Sequence, residues 1–514
     1  TYLPAFHALV NAGVEAVMCA YNRTNGEACC GNTFLLQDVL RKQWGFKGHI
    51  VSDCGALDDI YQGHKLVKTE TEAAALALQR GVDLNCGNTY LALPDAVKQG
   101  LSSEKVIDSA LFLLLRTRFK LGLFDPPDRN PYNRIPQSVI NSPAHRALSK
   151  TVAEKSIVLL KNDGVLPLRN DLRKYFVTGP NATSIEALIG NYYGVNNKLV
   201  TMLEGIAGEV KAGSQVTYRQ GVLLDRSNAN PIDWSSGEAK KSDATIVVMG
   251  ITGLLEGEEG EAIASPGYGD RLDYNLPQNQ IDYLKALKKD NKNPVIAVIT
   301  GGSPMNLSEV HELADAVLLV WYPGEEGGAA LADILFGKTS PSGRLPVSFP
   351  ESYGQLPAYT DYSMKGRTYR YMKGEPMYPF GFGLSYTKFT YRDLKFSKPG
   401  MGPHETIRVS ATVENAGRQD ADEIVELYLT HAGAGSDQPL YSLKGCRRIR
   451  LAAGASRQVA FDLTPETVSE IDDAGNAVFP EGKLEVFIGG SSPDKRNLEL
   501  GAAAPAEGAI TLRQ

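Results

Sequence analysis

The feature that most constrains the fold is an alternation of short apolar strands and helices over the first 125 or so residues. Strands are predicted at residues 14–20, 48–52 and 82–84, with helices between and after them. Such βα units build a parallel sheet or barrel, and a complete (β/α)8 barrel needs eight strands and about 250 residues. Residues 1–125 are therefore predicted to form the C-terminal part of a barrel.

The pattern changes three times further along the chain. Residues 126–150 are rich in Pro and Asn and predict a linker. Residues 151–350 contain continuous apolar strands between helices, which predict an α/β sandwich with a mostly parallel sheet. Residues 351–385 predict a crossing segment, and residues 386–514 alternate as in a β-sandwich. The predicted class is α/β multidomain. The strands predicted for the second domain are 174–178, 245–250, 295–300 and 316–321, and its helices include 278–289 and 327–336.

Charge and composition exclude several classes of function. Lys and Arg number 53 against 59 Asp and Glu, a net charge of −6, and no long basic block is present, so nucleic acid is not expected as a partner. The longest apolar runs are far shorter than the ~20 residues of a membrane-spanning helix, which predicts a soluble chain. Of the six cysteines, five lie within the first 86 residues, which indicates a local role in one domain rather than a disulfide framework for the whole chain.

Asp53 is the sharpest local signal. It follows a predicted strand, 48–52, and a carboxylate at the C-terminal end of a barrel strand is held rigidly at the mouth, where a nucleophile or base is useful. The alternative is that Asp53 caps the next helix. Tyr21 stands at the neighbouring strand end, where its phenol either orients a carboxylate or belongs to an ordinary polar turn.

A second acidic cluster follows the predicted strand 245–250. Its four carboxylates, which repel one another and so raise at least one pKa, suit a general acid, and Arg271 is placed to order the loop. The alternative is a solvated surface loop. The four carboxylates are Glu256, Glu258, Glu259 and Glu261.

Cys54 and Cys86 each follow a predicted strand of the first domain. Neither a histidine partner for a nucleophilic cysteine nor a zinc-ligand spacing is evident. The residues leave two alternatives open, a disulfide between adjacent loops or two buried free thiols.

Together these segments resemble glycoside hydrolase family 3. The resemblance implies a (β/α)8 barrel, an α/β sandwich and a fibronectin type III-like domain, and exo-acting retaining hydrolysis of β-linked sugars. It implies that Asp53 is the nucleophile and that Glu258 is the acid/base, with Glu256 its closest rival, in a cleft between the first two domains. The stretches that carry it are MCAYNRTNG (18–26), WGFKGHIVSDC (44–54), LLKNDGVLPL (159–168), YPGEEGG (322–328), PSGRLP (341–346) and PFGFGLSY (379–386).

Within the family, Ser52-Asp53-Cys54 and the segment around Cys86 resemble the β-xylosidase branch. The resemblance implies a Cys54–Cys86 disulfide that walls the sugar pocket and excludes the hydroxymethyl group of glucose, with Tyr21, Cys54 and Cys86 contacting substrate. We expect a β-D-xylosidase, with α-L-arabinofuranosidase activity as a side reaction and β-glucosidase as the alternative. A non-catalytic, carbohydrate-binding fragment or scaffold is the competing class.

The family's upstream sugar-binding segments are absent from these residues, so we expect a natural protein some 200 residues longer. If the molecule begins at Thr1, we expect an open half-barrel with little activity. The resemblance implies an oligosaccharide substrate, no cofactor, no metal and a periplasmic or secreted location, and it leaves room for a homodimer.

Overall fold

A computed structural model describes residues 2–194, 196–230, 233–258, 260, 262–432, 438–472 and 476–513. Their contacts divide the chain into two compact units, the first ending at Val139 and the second beginning at Ile140. Each unit has its own hydrophobic core. None of the helices within the described ranges is long and apolar enough to cross a bilayer. The finer domain boundaries given above stay predictions.

The first unit holds a small parallel sheet. Its strands are β1 (Ala16–Cys19), β2 (Arg23–Thr24), β3 (Glu27–Ala28) and β4 (His49–Ser52); its α-helices are α1 (Leu3–Asn11), α2 (Asp58–Tyr61), α3 (Glu70–Arg80), α4 (Leu93–Lys98) and α5 (Glu104–Lys120); and a π-helix spans Phe34–Gln43. Strand β4 pairs in parallel with β1, and Val51 forms a parallel bridge with Leu84. The three strand segments predicted from the sequence therefore lie side by side, the third reduced to a single bridge.

Helix α3 shows how local chemistry sets these elements. Its N-cap Thr69 accepts from the backbone N–H of Glu72, and the Glu72 carboxylate accepts from the Thr69 N–H at 3.1 Å, a reciprocal capping box. Gly81 ends the helix with φ at +97°, which favours glycine. The capping box starts the helix at Glu70, ahead of the buried apolar residues that begin at Ala73.

The second unit is built on a six-stranded sheet with the order β5-β10-β9-β8-β6-β7. All neighbouring pairs are parallel except β5 with β10. The mostly parallel sheet confirms the predicted α/β sandwich. Edge strands β5 and β7 were not predicted; β7 is partly exposed and lacks the continuous apolar run of the central strands. The strands are β5 (Val158–Asn162), β6 (Lys174–Thr178), β7 (Gln215–Arg219), β8 (Ala244–Gly250), β9 (Val295–Thr300) and β10 (Ala316–Trp321).

Alternate residues of the central strands face two separate hydrophobic cores. Val247 and Met249 of β8 lie in one core with side chains of α11, whereas Ile246 and Val248 lie in the other with side chains of α8 and α13. Such burial on both faces is what a covered parallel sheet requires. The helices are α6 (Pro143–Ser156), α7 (Glu186–Ile189), α8 (Met202–Glu209), α9 (Ser235–Lys240), α10 (Gly253–Glu256), α11 (Gln278–Lys288), α12 (Ser308–Leu313) and α13 (Gly327–Leu335).

A β-sandwich completes the second unit. One sheet has the order β11-β13-β16 and the other β12-β20-β19-β14-β15, which confirms the predicted β-rich region. Buried side chains alternate along β13 with exposed or half-buried ones, as expected for strands with one face in the core. The remaining elements are α14 (Thr368–Tyr371), β11 (Phe389–Phe396), β12 (Gly400–Met401), β13 (Ile407–Asn415), β14 (Ala421–His431), β15 (Ser442–Leu451), β16 (Ser456–Leu463), α15 (Pro465–Val468), β17 (Glu470–Ile471), β18 (Ala477–Val478), β19 (Gly482–Gly489), α16 (Lys495–Glu499) and β20 (Ala506–Leu512).

A buried polar network links the sandwich to the preceding residues of its unit. Arg344 forms an ion pair with Glu423 at 2.8 Å, and the Tyr391 hydroxyl donates to the same carboxylate at 2.6 Å. Further along the same strand, β14, the Glu426 carboxylate accepts a hydrogen bond from the Tyr428 hydroxyl at 2.7 Å. Burial raises the pKa of Glu426 to about 7.

Replacing Glu426 with Gln is expected to reduce the pH dependence of stability. Because the pKa of Glu426 is about 7 in the folded state against 4.5 in water, the folded chain holds the proton more tightly, and the fold loses stability as pH rises between these values. The wild type should lose on the order of 3 kcal/mol more than E426Q between about pH 4 and pH 8. Urea unfolding at both pH values measures this difference, with the exposed Glu507→Gln as control; equal losses in all three proteins would contradict it.

Candidate active site

Asp53 lies directly after β4, at the C-terminal end of a strand that pairs with β1. Its backbone N–H donates to the Cys19 carbonyl at 3.0 Å, and its carboxylate Oδ1 accepts from the Cys54 N–H at 2.7 Å. The side chain is half-buried. Helix α2 begins only at Asp58 and has Leu57 as its N-cap, so Asp53 does not cap that helix. The backbone of Asp53 is thus bonded to the end of β1, and its carboxylate is oriented by the N–H of the next residue.

The residues around Asp53 tie neighbouring strand ends together. Cys54 and Cys86 form a disulfide with their Cα atoms 4.4 Å apart. The Tyr21 hydroxyl donates to the Cys54 carbonyl at 2.6 Å, and the backbone carbonyl of Tyr21 lies 2.7 Å from Nε2 of His64. The buried Ser52 hydroxyl accepts from the Cys86 N–H at 2.9 Å. Tyr21, Cys54 and Cys86 therefore surround the backbone that carries Asp53.

A second disulfide in this unit was missed by the sequence reasoning. Cys19, the last residue of β1, pairs with Cys30, which lies 11 positions further on. The hairpin of β2 and β3 returns the chain to the end of β1 and so brings the two cysteines together. The position of Cys19 at a predicted strand end was a usable signal. Of the cysteines in the described part of the chain, Cys29 and Cys446 are free.

Glu256 is held by groups from two other loops of the second unit. The Tyr322 hydroxyl, directly after β10, donates to its carboxylate at 2.6 Å, and the Gly302 N–H and the Ser303 hydroxyl, which follow β9, also donate to it. Burial, and then the neighbouring Glu256 charge, raises the pKa of Tyr322, so the phenol keeps its proton and remains a donor. Through these contacts Glu256 connects its own loop to the loops that follow β9 and β10.

Arg271 supports this arrangement through Ser303. Its guanidinium donates to the Ser303 hydroxyl at 2.8 Å and to the Pro304 carbonyl at 3.0 Å. It thereby fixes the segment that donates to Glu256. The arginine was singled out from the sequence as a residue that orders the acidic loop, and it reaches that loop indirectly.

Glu258 is placed differently from Glu256. Its side chain is exposed, and its carboxylate accepts from the Tyr192 hydroxyl. Tyr192 has a left-handed backbone with φ at +55°, which is uncommon for a residue with a side chain. Tyr192 and Tyr322 were not singled out as site residues. Glu259 and Glu261 lie outside the described residues.

The loops that carry these groups all follow the carboxyl ends of strands in the same sheet. Glu256 and Glu258 follow β8, Ser303 follows β9 and Tyr322 follows β10, and the carboxyl ends of parallel strands are where ligands bind in open α/β sheets. Among the residues that the structure describes, no group of three or more His, Cys, Asp or Glu side chains is arranged to hold a metal ion. The carboxylates at this end of the strands can transfer protons, and the phenols can orient them by hydrogen bonds.

Comparison with known proteins shows three matching domain models. The Glycosyl hydrolase family 3 N terminal domain matches residues 1–116, the Glycosyl hydrolase family 3 C-terminal domain matches 157–386, and a Fibronectin type III-like domain matches 423–492. The matched models define the chain as a glycoside hydrolase.

Individual proteins similar to this chain are also named as glycosidases. A xylan 1,4-beta-xylosidase of Xylanibacter ruminicola is 31% identical over 96% of this chain and 74% of its own length, and a periplasmic beta-glucosidase of Salmonella typhimurium is 34% identical over 95% and 68%. A solved GH3 exo-beta-xylosidase (XlnD), in complex with a xylobiose aziridine probe, superposes with a TM-score of 0.89 at 28% identity, covering 100% of this chain and 68% of that one. The chain belongs to glycosyl hydrolase family 3.

Proposed function

We propose that this chain is an exo-acting retaining β-glycosidase of the β-D-xylosidase type, which releases xylose from the non-reducing ends of xylo-oligosaccharides. The observation that carries the proposal is the half-buried Asp53 at the end of β4, beside the Cys54–Cys86 disulfide. Relatives named as β-xylosidases support the sugar preference. One relative named as a β-glucosidase favours glucose as the second candidate.

The proposed reaction is a double displacement. The Asp53 carboxylate attacks the anomeric carbon and forms a covalent glycosyl ester, while Glu258 gives its proton to the leaving glycosidic oxygen. Glu258, now ionised, removes a proton from water, and the water oxygen displaces Asp53 from the sugar. Two displacements at one carbon retain its configuration, and Glu258 ends the cycle protonated.

Glu258 fits the acid/base role better than Glu256 because of what each carboxylate contacts. Glu256 accepts hydrogen bonds from Tyr322, Gly302 and Ser303, so a substrate oxygen would have to displace groups that hold the loop together. Glu258 is exposed and has the Tyr192 hydroxyl on its carboxylate. A single phenol orients a carboxyl group and leaves it accessible, as a general acid requires.

Sugar preference tests this proposal. The chain should hydrolyse an aryl β-D-xyloside with a kcat/KM at least about tenfold above that for the matching β-D-glucoside, because in this proposal the disulfide forms a pocket wall that excludes the hydroxymethyl group. An aryl α-L-arabinofuranoside should be a slower, secondary substrate.

The double variant Cys54→Ala, Cys86→Ala provides the matched comparison. Loss of the disulfide wall should raise the ratio of glucoside to xyloside hydrolysis. A wild-type chain that cleaves the glucoside faster than the xyloside would identify a β-glucosidase and contradict the proposal.

A further inference from the structure

A cavity of about 560 Å³ lies at the end of the edge strand β7 in the second unit. Its volume falls within the range of pockets that take small ligands, about 300–1,000 Å³. It is separate from the loops that hold Glu256 and Glu258. Its lining includes Arg219, Gln220, Asn228, Asp233, Trp234 and Ser235.

Trp234 is the unusual member of this lining because 69% of its surface is exposed. Tryptophan has the largest side chain and is highly buried on average, so an indole left in water at the rim of a cavity points to a ligand surface. The ring offers a flat apolar face together with one N–H donor.

The walls around Trp234 are fixed by hydrogen bonds. The Asn228 amide donates to the Gly221 carbonyl at 2.7 Å and accepts from the Leu223 N–H at 3.1 Å. On the other side, the Asp233 carboxylate accepts from the Ser235 N–H at 2.7 Å. The cavity is therefore largely formed before any ligand arrives, which reduces the entropy that binding must overcome.

The polar groups of the lining combine donors and acceptors. Arg219 supplies guanidinium donors, the Gln220 amide both donates and accepts, and Asp233 is an acceptor. Burial acts to raise the pKa of Asp233, but hydrogen bonds from Ser236 and Ser235 outweigh it and lower that pKa, so the carboxylate stays ionised. Sugar hydroxyls need both donors and acceptors, and the C–H face of a pyranose matches an exposed indole.

We propose that this cavity, the Trp234 cavity, is a second carbohydrate-binding site that takes a β-1,4-linked sugar chain without cleaving it. In the sheet, β7 is separated from β8 by β6 alone, a span of about 10 Å at ordinary strand spacing. The cavity and the loop of Glu258 therefore both lie at the carboxyl ends of these parallel strands. The choice of a β-1,4-linked chain rests on the proposed function, whereas the presence of a sugar site does not.

Electrophoresis of the full chain through gels that contain soluble arabinoxylan or hydroxyethylcellulose tests the proposal. An exo-acting pocket binds only chain ends, which are scarce in a polymer, so retardation reports mainly on a site for internal sugars. We expect Trp234→Ala to raise the dissociation constant derived from retardation at least about tenfold. Trp234→Phe should retain most of the binding because it keeps an aromatic face.

The matched control is Tyr359→Ala, which removes another exposed aromatic ring, 83% exposed, and should leave retardation unchanged. Hydrolysis of a small aryl xyloside by Trp234→Ala should equal that of the wild type, which separates this site from the proposed catalytic one. Retardation that Trp234→Ala leaves intact, absence of retardation of the wild type, or equal retardation in an α-linked dextran gel would each overturn the proposal. Retardation that depends on Trp234 in a chain without xylosidase activity would uphold this site and reject the proposed function.

Discussion

Asp53→Asn is expected to lower kcat for an aryl β-D-xyloside by about 10⁴-fold or more, the scale on which loss of a nucleophile acts. The amide has nearly the shape of the carboxylate and can still accept from the Cys54 N–H, so the strand end should keep its structure. What is lost is the negatively charged oxygen that, in the proposed reaction, attacks the anomeric carbon. Steady-state kinetics on the purified variant measure the effect.

The control for this variant is Asp38→Asn, an exposed carboxylate that pairs with Lys42 on the surface. Exposed pairs contribute little, so its kcat should stay within about twofold of the wild type. If Asp53→Asn kept more than a tenth of the wild-type kcat, Asp53 would not be the nucleophile. A wild-type chain with no turnover of any aryl glycoside would support the carbohydrate-binding scaffold instead.

Glu258→Ala is expected to lower kcat by about 10²- to 10⁴-fold on substrates whose leaving group needs a proton. An activated aryl glycoside leaves without that proton, so the variant should form the glycosyl ester and then stall for want of a base. Azide, which needs no deprotonation to attack, should restore turnover and give a glycosyl azide. Kinetics with and without azide, with identification of the product, measure both effects.

Glu256→Ala serves as the comparison at the rival residue. Its removal leaves the Tyr322 hydroxyl without this acceptor and frees the loop held by Ser303, so we expect lower stability and no rescue by azide. The opposite result, with Glu256→Ala rescued by azide and Glu258→Ala behaving as wild type, would transfer the acid/base role to Glu256.

Periodicity was enough to predict the central strands of the second unit, but it missed β5, whose Val158, Leu159 and Leu160 are also buried. The central strands β6, β8, β9 and β10 are continuous apolar runs, and they occupy nearly the predicted residues. Helix α13 ends one residue before its prediction. Edge strand β7 was not predicted because it buries less apolar surface and its sequence therefore has a weaker hydrophobic pattern.

The candidate site could be predicted only in part. The position of Asp53 at a strand end was predicted because a carboxylate directly after a buried strand is a local signal, whereas its role stays a prediction. Tyr192 and the Trp234 cavity depend on loops whose conformation no periodic pattern encodes. Tyr322 directly follows the predicted strand 316–321, so a search for polar residues at each strand end would have included it.

The central claim is that Asp53 forms a covalent bond with the sugar, and trapping that intermediate tests it most directly. A 2-deoxy-2-fluoro-β-D-xylosyl fluoride should inactivate the chain, because fluorine at C2 slows breakdown of the glycosyl ester more than its formation. Peptide mass spectrometry should then find one fluorosugar on the peptide that contains Asp53, and none in Asp53→Asn. A label on any other carboxylate, or none on an inactivated chain, would contradict the account.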